Sequence, residues 1–474
     1  MEIDEVVELV KKRVVPSEEE KRKVHEFCER LLEKARSEAE LLGLEASPRI
    51  EGSIAKDTWI SGDRDIDLFL FFPEGTPREV WVEKGLLLAK KIAGEQWKEA
   101  YAEHPYIEAK IGEFTVDIVP SVWSSSPSAI ATSVGRTPYH TNYVNSKLAS
   151  WQRDEVRVLK QFAKGLGVYG AELKVRGFSG YLCELLIIGY GSFSSLIREA
   201  GSWKVKEVLD LERHYKSAKE VRALFRDDVF IVVDPVDKRR NVASPLSRKS
   251  FFTFVSASRW FAKYPSLSFF FPPDPPALRK EELKWTVRGS HVLALELSCP
   301  DAVPDVLWGQ IWKSLNGMKV LLEKGGFSVL DCDAFSDEEN VVVLVFELER
   351  GELPASKVHR GPLPTREEDE RRFLLKRFKA KDYAFGPWIS DSGWMVVLRR
   401  GEAKAKDYLS RHVLSARLGR MIKEKLEEGF RIYEGEELAE LAERYPEFSR
   451  FLARFLVKAP PWLLEVAEKI AEGK

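Results

Sequence analysis

The chain predicts a multidomain α+β protein, and three observations carry that expectation. Its 474 residues are enough for about three domains. Apolar residues make up 44% and charged residues 31%, a composition with ample material for buried cores. The hydrophobic pattern also changes twice along the chain, from strands alternating with helices, to helices, and back to a strand and helix mixture. These shifts predict domains at 1–147, 148–266 and 267–474, the last an α+β body ending in a helical tail.

Each element has a local reason. Ser17 ahead of Glu18-Glu19-Glu20 offers an N-cap with acids in the first turn, and Val24, Phe27, Leu31 and Leu32 recur at helical spacing, which predicts a helix over 18–42. A short strand at Arg49-Ile50-Glu51 runs into Gly52-Ser53. The β-rich run from Asp65 to Phe72 stops at Pro73, a helix follows over 77–93, and Phe114 to Val119 reads as a strand ending at Pro120. Residues 121–133 are Ser-rich and irregular. Leu148, Trp151, Val156, Leu159, Phe162, Ala163 and Leu166 line one side of a helix that stops at Gly165 and Gly167. Residues 180–200 and 203–224 read as helices, and Val229 to Val233 as a strand. Pro272, Pro273, Pro275 and Pro276 mark a linker. Beyond it, strands near 291–297, 341–348 and 393–399 mix with helices over 304–324, 367–379 and 407–428, with no internal repeat.

Composition excludes several classes. Lys and Arg total 74 against 75 for Asp and Glu, a net charge of −1, so the surface is not uniformly basic. No run of 18 uncharged apolar residues occurs, which excludes a membrane-spanning helix, and the acidic start Met1-Glu2-Ile3-Asp4-Glu5 predicts no signal peptide. The expectation is a cytoplasmic protein. Cys28, Cys183, Cys299 and Cys332 lie far apart with no C-x-x-C pair, which predicts buried thiols rather than disulfides or a cysteine zinc site. The only amides are Gln96, Gln152, Gln161, Gln310, Asn142, Asn145, Asn241, Asn316 and Asn340; so few, amid abundant charge, is the pattern of a thermophile.

The chemical signal is a set of carboxylates. Asp65 and Asp67 alternate within a strand and so share a face, roughly 7 Å apart along the backbone. Asp117 lies in a second strand between Val116 and Ile118. Three carboxylates this close raise one another's pKa unless a divalent cation neutralises them. With only oxygen donors, the set suits Mg²⁺, which keeps waters and substrate phosphates as its other ligands. Two such ions about 3.5–4 Å apart can activate a hydroxyl and steady a leaving pyrophosphate. Upstream, Gly52 lets the backbone approach a triphosphate, Ser53 Oγ and backbone N–H groups can bond its oxygens, and Lys56 adds a charge. Taken singly, a D-x-D is a solvated strand face and a Gly-Ser is a turn; the combination points to a metal site.

Gly52-Ser53, Asp65-Ile66-Asp67 and Asp117 together resemble the signature of the nucleotidyltransferase superfamily that includes DNA polymerase β. Further blocks narrow the likeness: Arg136-Thr137-Pro138-Tyr139-His140, Glu155 to Lys160, Val168 to Glu172, Lys174 to Glu184, Val233 to Asp237 and Arg240 to Ala243 resemble the archaeal class I CCA-adding enzymes. The likeness is close over 48–245 and thinner to about residue 430. It implies a mixed-sheet nucleotidyltransferase head, a helical central domain and a ferredoxin-like α+β body with a helical tail. The implied activity is template-free addition and repair of the CCA 3′ end of tRNA from CTP and ATP by a homodimer. Carried over by position, Asp65, Asp67 and Asp117 are the catalytic and Mg²⁺-holding residues, Asp65 standing where many relatives have Glu. Ser53 and Lys56, the latter commonly Arg, match nucleotide-contacting positions, while His140, Lys160 and Tyr169 match triphosphate-binding ones. Arg240, with Asp234 and Asp237 nearby, matches the region that reads the base. For the tRNA acceptor end the candidates are Tyr101 to Tyr106, Lys174, Arg176, Lys238, Arg239 and the tail's Arg411, His412, Arg417, Arg420, Lys423 and Lys425. On the residues alone, His140 is also readable as a surface group, Lys160 as a snorkelling helix residue, Tyr169 as a core cap and the tail cations as a solvated face. Two alternatives stand beside this reading: a poly(A)-polymerase or oligoadenylate-synthetase-like enzyme using ATP alone, and a catalytically inactive RNA-binding module.

Overall fold

A computed structural model describes residues 2–101, 104–124, 134–273, 291–378 and 383–471. The chain divides into two compact units, residues 1–273 with 459–474, and residues 274–458.

The first unit begins with α1 (Ile3–Val14), whose Ile3, Val6, Val7, Val10 and Val14 form one buried stripe. In α2 (Glu18–Leu41), the Ser17 hydroxyl accepts the Glu20 N–H as an N-cap. Then follow β1 (Ser47–Glu51), the one-turn α3 (Gly52–Ala55), β2 (Asp65–Phe72), α4 (Arg78–Ala93), β3 (Trp97–Tyr101), β4 (Pro105–Ile111) and β5 (Phe114–Val122). The strands form one mixed sheet in the order β1-β2-β5-β4-β3, with β2 and β5 parallel and every other pair antiparallel. Ile66, Leu68, Leu70, Val116 and Ile118 point to one face, where they share a core with Leu31 and Ala35 of α2 and Leu88 and Ile92 of α4. By strand alternation Asp65, Asp67 and Asp117 belong to the opposite face, with Phe69, Phe71 and Val119. The strand expected to end at Pro120 runs on to Val122. Pro120 lies beyond the last β4 partner, Ile118, where one side of β5 is an edge that tolerates a missing N–H.

The rest of this unit is mainly helical: α5 (Thr137–Lys147), α6 (Gln152–Gly165), α7 (Gly180–Tyr190), α8 (Phe193–Ala200), β6 (Glu207–Leu209), α9 (Ala218–Leu224), β7 (Phe230–Val232) and α10 (Arg248–Lys263). Phe162 of α6 is fully buried, with the rings of Phe193, Phe254, Phe261, Phe269 and Phe270 around it at centroid distances of 5.3 to 6.1 Å. Three expectations need correction. The helix over 180–200 is two helices bent by 93° after Tyr190. The helix expected over 203–224 exists only from Ala218; before it, the Asp210 carboxylate accepts the His214 and Tyr215 N–H groups, closing a turn, while β6 pairs in parallel with β7. The helix Pro461–Ala471, expected in the body's tail, belongs to the first unit instead. Its Trp462 stacks on Phe269 at 5.2 Å, and Glu465 accepts from the Ser268 hydroxyl.

The second unit contains β8 (His291–Ser298), the helix Pro304–Gly325, β9 (Val329–Ser336) and β10 (Val341–Leu348), later joined by β14 (Arg431–Glu434). The antiparallel order β14-β8-β10-β9, with that helix between β8 and β9, is the split β-α-β, ferredoxin-like arrangement. Both faces of β10 are covered, which explains its unbroken run of apolar residues from Val341 to Phe346. An inserted segment forms β11 (Ser356–Arg360), the helix Glu367–Phe378, β12 (Tyr383–Ser390) and β13 (Gly393–Arg399) as a three-stranded sheet, β11-β13-β12. The helix expected over 407–428 is two, Ala405–His412 and Arg420–Glu428, because a 3-10 turn at Val413–Ser415 gives way to extended backbone at Ala416 and at Gly419, the N-cap of the second helix. The unit closes with the helices Glu437–Arg444 and Pro446–Val457. Among the described residues no single helix is long and apolar enough to cross a membrane.

Candidate active site

The site begins where β1 ends. In the sheet register Glu51 faces Asp67, Asp67 faces Asp117, and Asp117 faces Glu108, so four carboxylates lie in one row across β1, β2, β5 and β4. Asp65 sits two residues before Asp67, exposed at the start of β2. Gly52 turns the chain at φ +67 beside this row, and a Cβ there would collide with the Asp67 carboxylate. Burial, then the charges of Asp67, Glu108 and Asp65, push the Asp117 carboxyl up to about 7. Burial also raises Asp67, with Asp65 adding to the rise while Lys56 and Lys160 oppose it. Glu51 is buried, and its Oε2 has no hydrogen-bond partner among the described residues. Lys98 pairs with Glu108 at the outer end of the row at 2.9 Å, while the carboxylates nearer Gly52 stay in excess. Its donors are hard oxygens, and the two in register, Asp67 and Asp117, lie on adjacent strands about 4.8 Å apart. That donor set fits a divalent cation such as Mg²⁺. Among the described residues no three acid or imidazole side chains close on one point by themselves, so an ion here takes further ligands from water or phosphate.

A second cluster is cationic. The turn after α3 is closed by the Thr58 N–H donating to the Ser53 carbonyl at 3.0 Å, and α6 clamps it, Arg153 reaching the Lys56 carbonyl and Arg157 Nε the Trp59 carbonyl at 2.8 Å. Lys56 Nζ, buried, donates to Glu184 Oε2 at 2.6 Å, and Thr58 Oγ1 donates to Glu184 Oε1 at 2.6 Å. Lys160 Nζ donates to the Thr58 carbonyl at 2.9 Å and lies 3.9 Å from Glu184 Oε1. Burial pulls the Lys160 ammonium down to about 8 against the pull of Glu184. Burial alone would raise Glu184, but Lys56 and Lys160 hold it below the usual carboxylate range. Tyr169 Oη and Lys160 Nζ both border Gly180, at the N-terminus of α7, where a Cβ would lie 3.2 and 3.6 Å from them. That helix end, capped by Ser179 accepting the Leu182 N–H, adds a partial positive charge.

The third cluster centres on Asp234, which follows β7. It accepts from Arg240 Nη1 at 2.8 Å, His140 Nε2 at 3.1 Å, the Val236 N–H at 3.1 Å and Tyr181 Oη at 3.3 Å. Burial would raise its pKa, but His140, Arg240 and the Val236 N–H bring it down to about 2. The His140 ring stacks on Tyr181 at 4.0 Å, and burial lowers its pKa despite Asp234. Lys56 Nζ lies over the Tyr181 ring at 5.7 Å and joins the second cluster to the third.

Among the expected residues, Asp67 and Asp117 are thus neighbours, with Asp65 on the same strand. Ser53 anchors the turn that carries Lys56; Lys160 and Tyr169 converge on α7; and His140 and Arg240 meet on one carboxylate. Sequence reasoning missed Glu184, Thr58, Tyr181 and Glu51. A signal existed for Glu184, a lone charge inside the apolar run Tyr181 to Ile188, which a folded protein buries only with a partner. Several expected RNA contacts pair within the chain: Arg239 with Asp237, His412 with Glu402, Arg420 with Glu424, and Lys425 with Glu428. In the segment Tyr101 to Tyr106, Ala102 and Glu103 lie outside the described residues, and His104 is buried.

A sheet presenting in-register carboxylates beside a bare glycine turn, faced by buried lysines and a helix N-terminus, is built to handle a polyphosphate, and comparison with known families places it among the nucleotidyltransferases. Residues 28–140 match the nucleotidyltransferase domain, 154–271 the tRNA nucleotidyltransferase second domain, and 288–435 the C-terminal domain of CCA-adding enzymes. The CCA-adding enzyme of Methanosarcina barkeri is 37% identical over 439 residues, covering 92% of this chain and 94% of that one. That of Methanopyrus kandleri is 36% identical over 485 residues, covering 96% and 97%, and that of Archaeoglobus fulgidus 37% identical over 444, covering 92% and 96%. The chain belongs to the family of archaeal-type CCA-adding enzymes.

Proposed function

We infer that this chain is a CCA tRNA nucleotidyltransferase that builds and repairs the 3′ end of tRNA from CTP and ATP, with no template strand. The observation that carries the reading is the register of Asp67 against Asp117 beside Gly52, in a chain related along nearly its whole length to CCA-adding enzymes. Asp67 and Asp117, with Asp65, would hold Mg²⁺, which when bound supplies Lewis-acid activation and charge neutralisation at the reacting phosphate. In the reaction, the terminal 3′-hydroxyl gives up its proton to water as its oxygen bonds to the α-phosphorus, the bond from that phosphorus to the bridging oxygen breaks, and that oxygen leaves with the pyrophosphate. The protein's share is positioning and electrostatics. Lys160, Tyr169 and Lys56 offer donors to the triphosphate, joined by the N-terminal N–H groups of α7 and by Ser53. Asp234 orients His140 toward the same substrate and Arg240 toward the base, whose acceptors an arginine reads without a template. The reading includes a head at 1–147, a central domain at 148–273 joined by 459–474, a body at 274–458, a homodimer and a cytoplasmic setting.

The test is incubation with tRNA lacking CCA, labelled CTP and ATP, followed by sequencing of the product. C, C and A are expected in that order, and incorporation of ATP alone would favour a poly(A)-polymerase-like enzyme. Asp67→Ala or Asp117→Ala is expected to cut incorporation about a thousandfold or more, with tRNA Kd changed no more than about threefold. Retained turnover in either variant overturns the assignment.

A further inference from the structure

Glu184 is fully buried, and no step described above uses it. It stands on α7 and reaches two segments distant in sequence, the turn carrying Lys56 and Thr58 and the helix carrying Lys160. Both its oxygens accept from the turn, Oε2 from Lys56 Nζ and Oε1 from Thr58 Oγ1, and that hydroxyl oxygen in turn accepts from Lys160 Nζ at 3.2 Å. One carboxylate therefore serves two ammonium groups. Around Glu184 the two ammonium groups outnumber the one carboxylate that bridges them, beside the Tyr169 hydroxyl and the N-terminus of α7, and both also feel the Asp67 carboxylate of the acidic row. A buried ammonium is costly without a counter-charge, and a polyphosphate arriving from solvent can supply part of it. Removing the carboxylate would leave two like charges near each other in a dry space, Lys56 without its acceptor and Lys160 held by Thr58 alone.

We propose that Glu184 is a positioning residue for nucleotide binding: a shared counter-charge that holds Lys56 and Lys160 aimed at the triphosphate site until the substrate's phosphates take over part of their charge. This rests on the nucleotidyltransferase reading. It assigns Glu184 no contact with substrate; its effect passes through the two lysines and Thr58. Burial lowers the pKa of Lys160, and Glu184 is the largest influence that opposes this and keeps the ammonium charged, against Lys56 as well.

The experiment measures kcat and KM for CTP and ATP at saturating tRNA, and KM for tRNA at saturating CTP, in wild type and Glu184→Gln. The expected result is a KM for both nucleotides raised about tenfold, the size of one charge-assisted hydrogen bond, with kcat within about threefold and tRNA KM unchanged. A merely structural role would instead lower the active fraction, and so kcat, with nucleotide KM unchanged. Nucleotide KM within twofold of wild type, or tRNA KM rising in parallel, overturns the proposal. Thr58→Val keeps the charges and removes the bridging hydroxyl; it is expected to raise nucleotide KM about threefold, and no change there overturns the proposal even if the Glu184 variant does not fold. Calorimetry with inorganic tripolyphosphate separates the two layers of the argument. If wild type binds it and Glu184→Gln binds it about tenfold more weakly, the positioning role stands even where no nucleotide is transferred. Equal binding by the two proteins removes it.

Discussion

Gly52 shows how one residue type can govern a site without touching substrate. Its positive φ directs the chain from β1 into the turn carrying Lys56, and its missing side chain leaves room for the Asp67 carboxylate. Gly52→Ala adds a methyl where that carboxylate stands, and displacing a reacting group by an ångström costs about a hundredfold in rate. CTP incorporation is expected to fall by about that factor, while the melting temperature of the protein moves only a few degrees. At this scale the sequence was legible wherever the cause is local. Asp65 and Asp67 share a face because strand geometry alternates, and nothing distant is needed to know it. Glu184 was not legible, because its partner Lys56 is 128 residues away and only folding selects which buried cation meets it.

Among elements, the end of β7 is where several segments are tied together. Asp234 binds His140 of α5, Tyr181 of α7 and Arg240 of the following turn, so it fixes three elements around one buried carboxylate. Its folded pKa of about 2 lies below the ordinary 3.8, so its contribution to stability is complete above about pH 4 and fades as pH falls toward 2. That shift corresponds to about 2 kcal/mol. Denaturant unfolding of Asp234→Asn against wild type is expected to show a gap of that order at pH 6, narrowing as the pH is lowered below 4. A gap independent of pH would mean the ion pairs carry no stability. Elements with a strong period were readable from residues alone, as with α2 from its Ser17 cap and the β10 run. The segment 203–217 misled because its apolar residues fit a helical spacing, while the turn at Asp210 and the pairing of β6 with β7 decided otherwise. The edge strand β3 carries too little apolar alternation to stand out before its sheet exists.

For the molecule as a whole, the chain's last helix completes the first unit. Trp462 is 4% exposed, stacked on Phe269 within the same core that surrounds Phe162. Trp462→Ala should destabilise that unit by about 3–5 kcal/mol, read as an earlier transition in denaturant unfolding followed by loss of CTP incorporation. An unchanged transition would show that the helix contributes nothing to the unit. The second unit's four-stranded sheet draws its order from covering both faces of β10, and its inserted three-stranded sheet has a small core of its own, built on Phe373, Val396 and Leu398.

By itself the sequence determined the carboxylate spacing, the glycine turn, the strand and helix periodicities and the likeness to CCA-adding enzymes, because each is written in residues near one another along the chain. The tertiary structure decided which strands lie side by side, and so that Asp67 meets Asp117. It also decided which charges are buried together, so that Glu184 gathers two lysines and Asp234 gathers His140 and Arg240, and where the final helix returns. Most of those outcomes depend on contacts between segments tens of residues apart or more, 128 for Lys56 and Glu184, whose energies exist only once the intervening chain has folded.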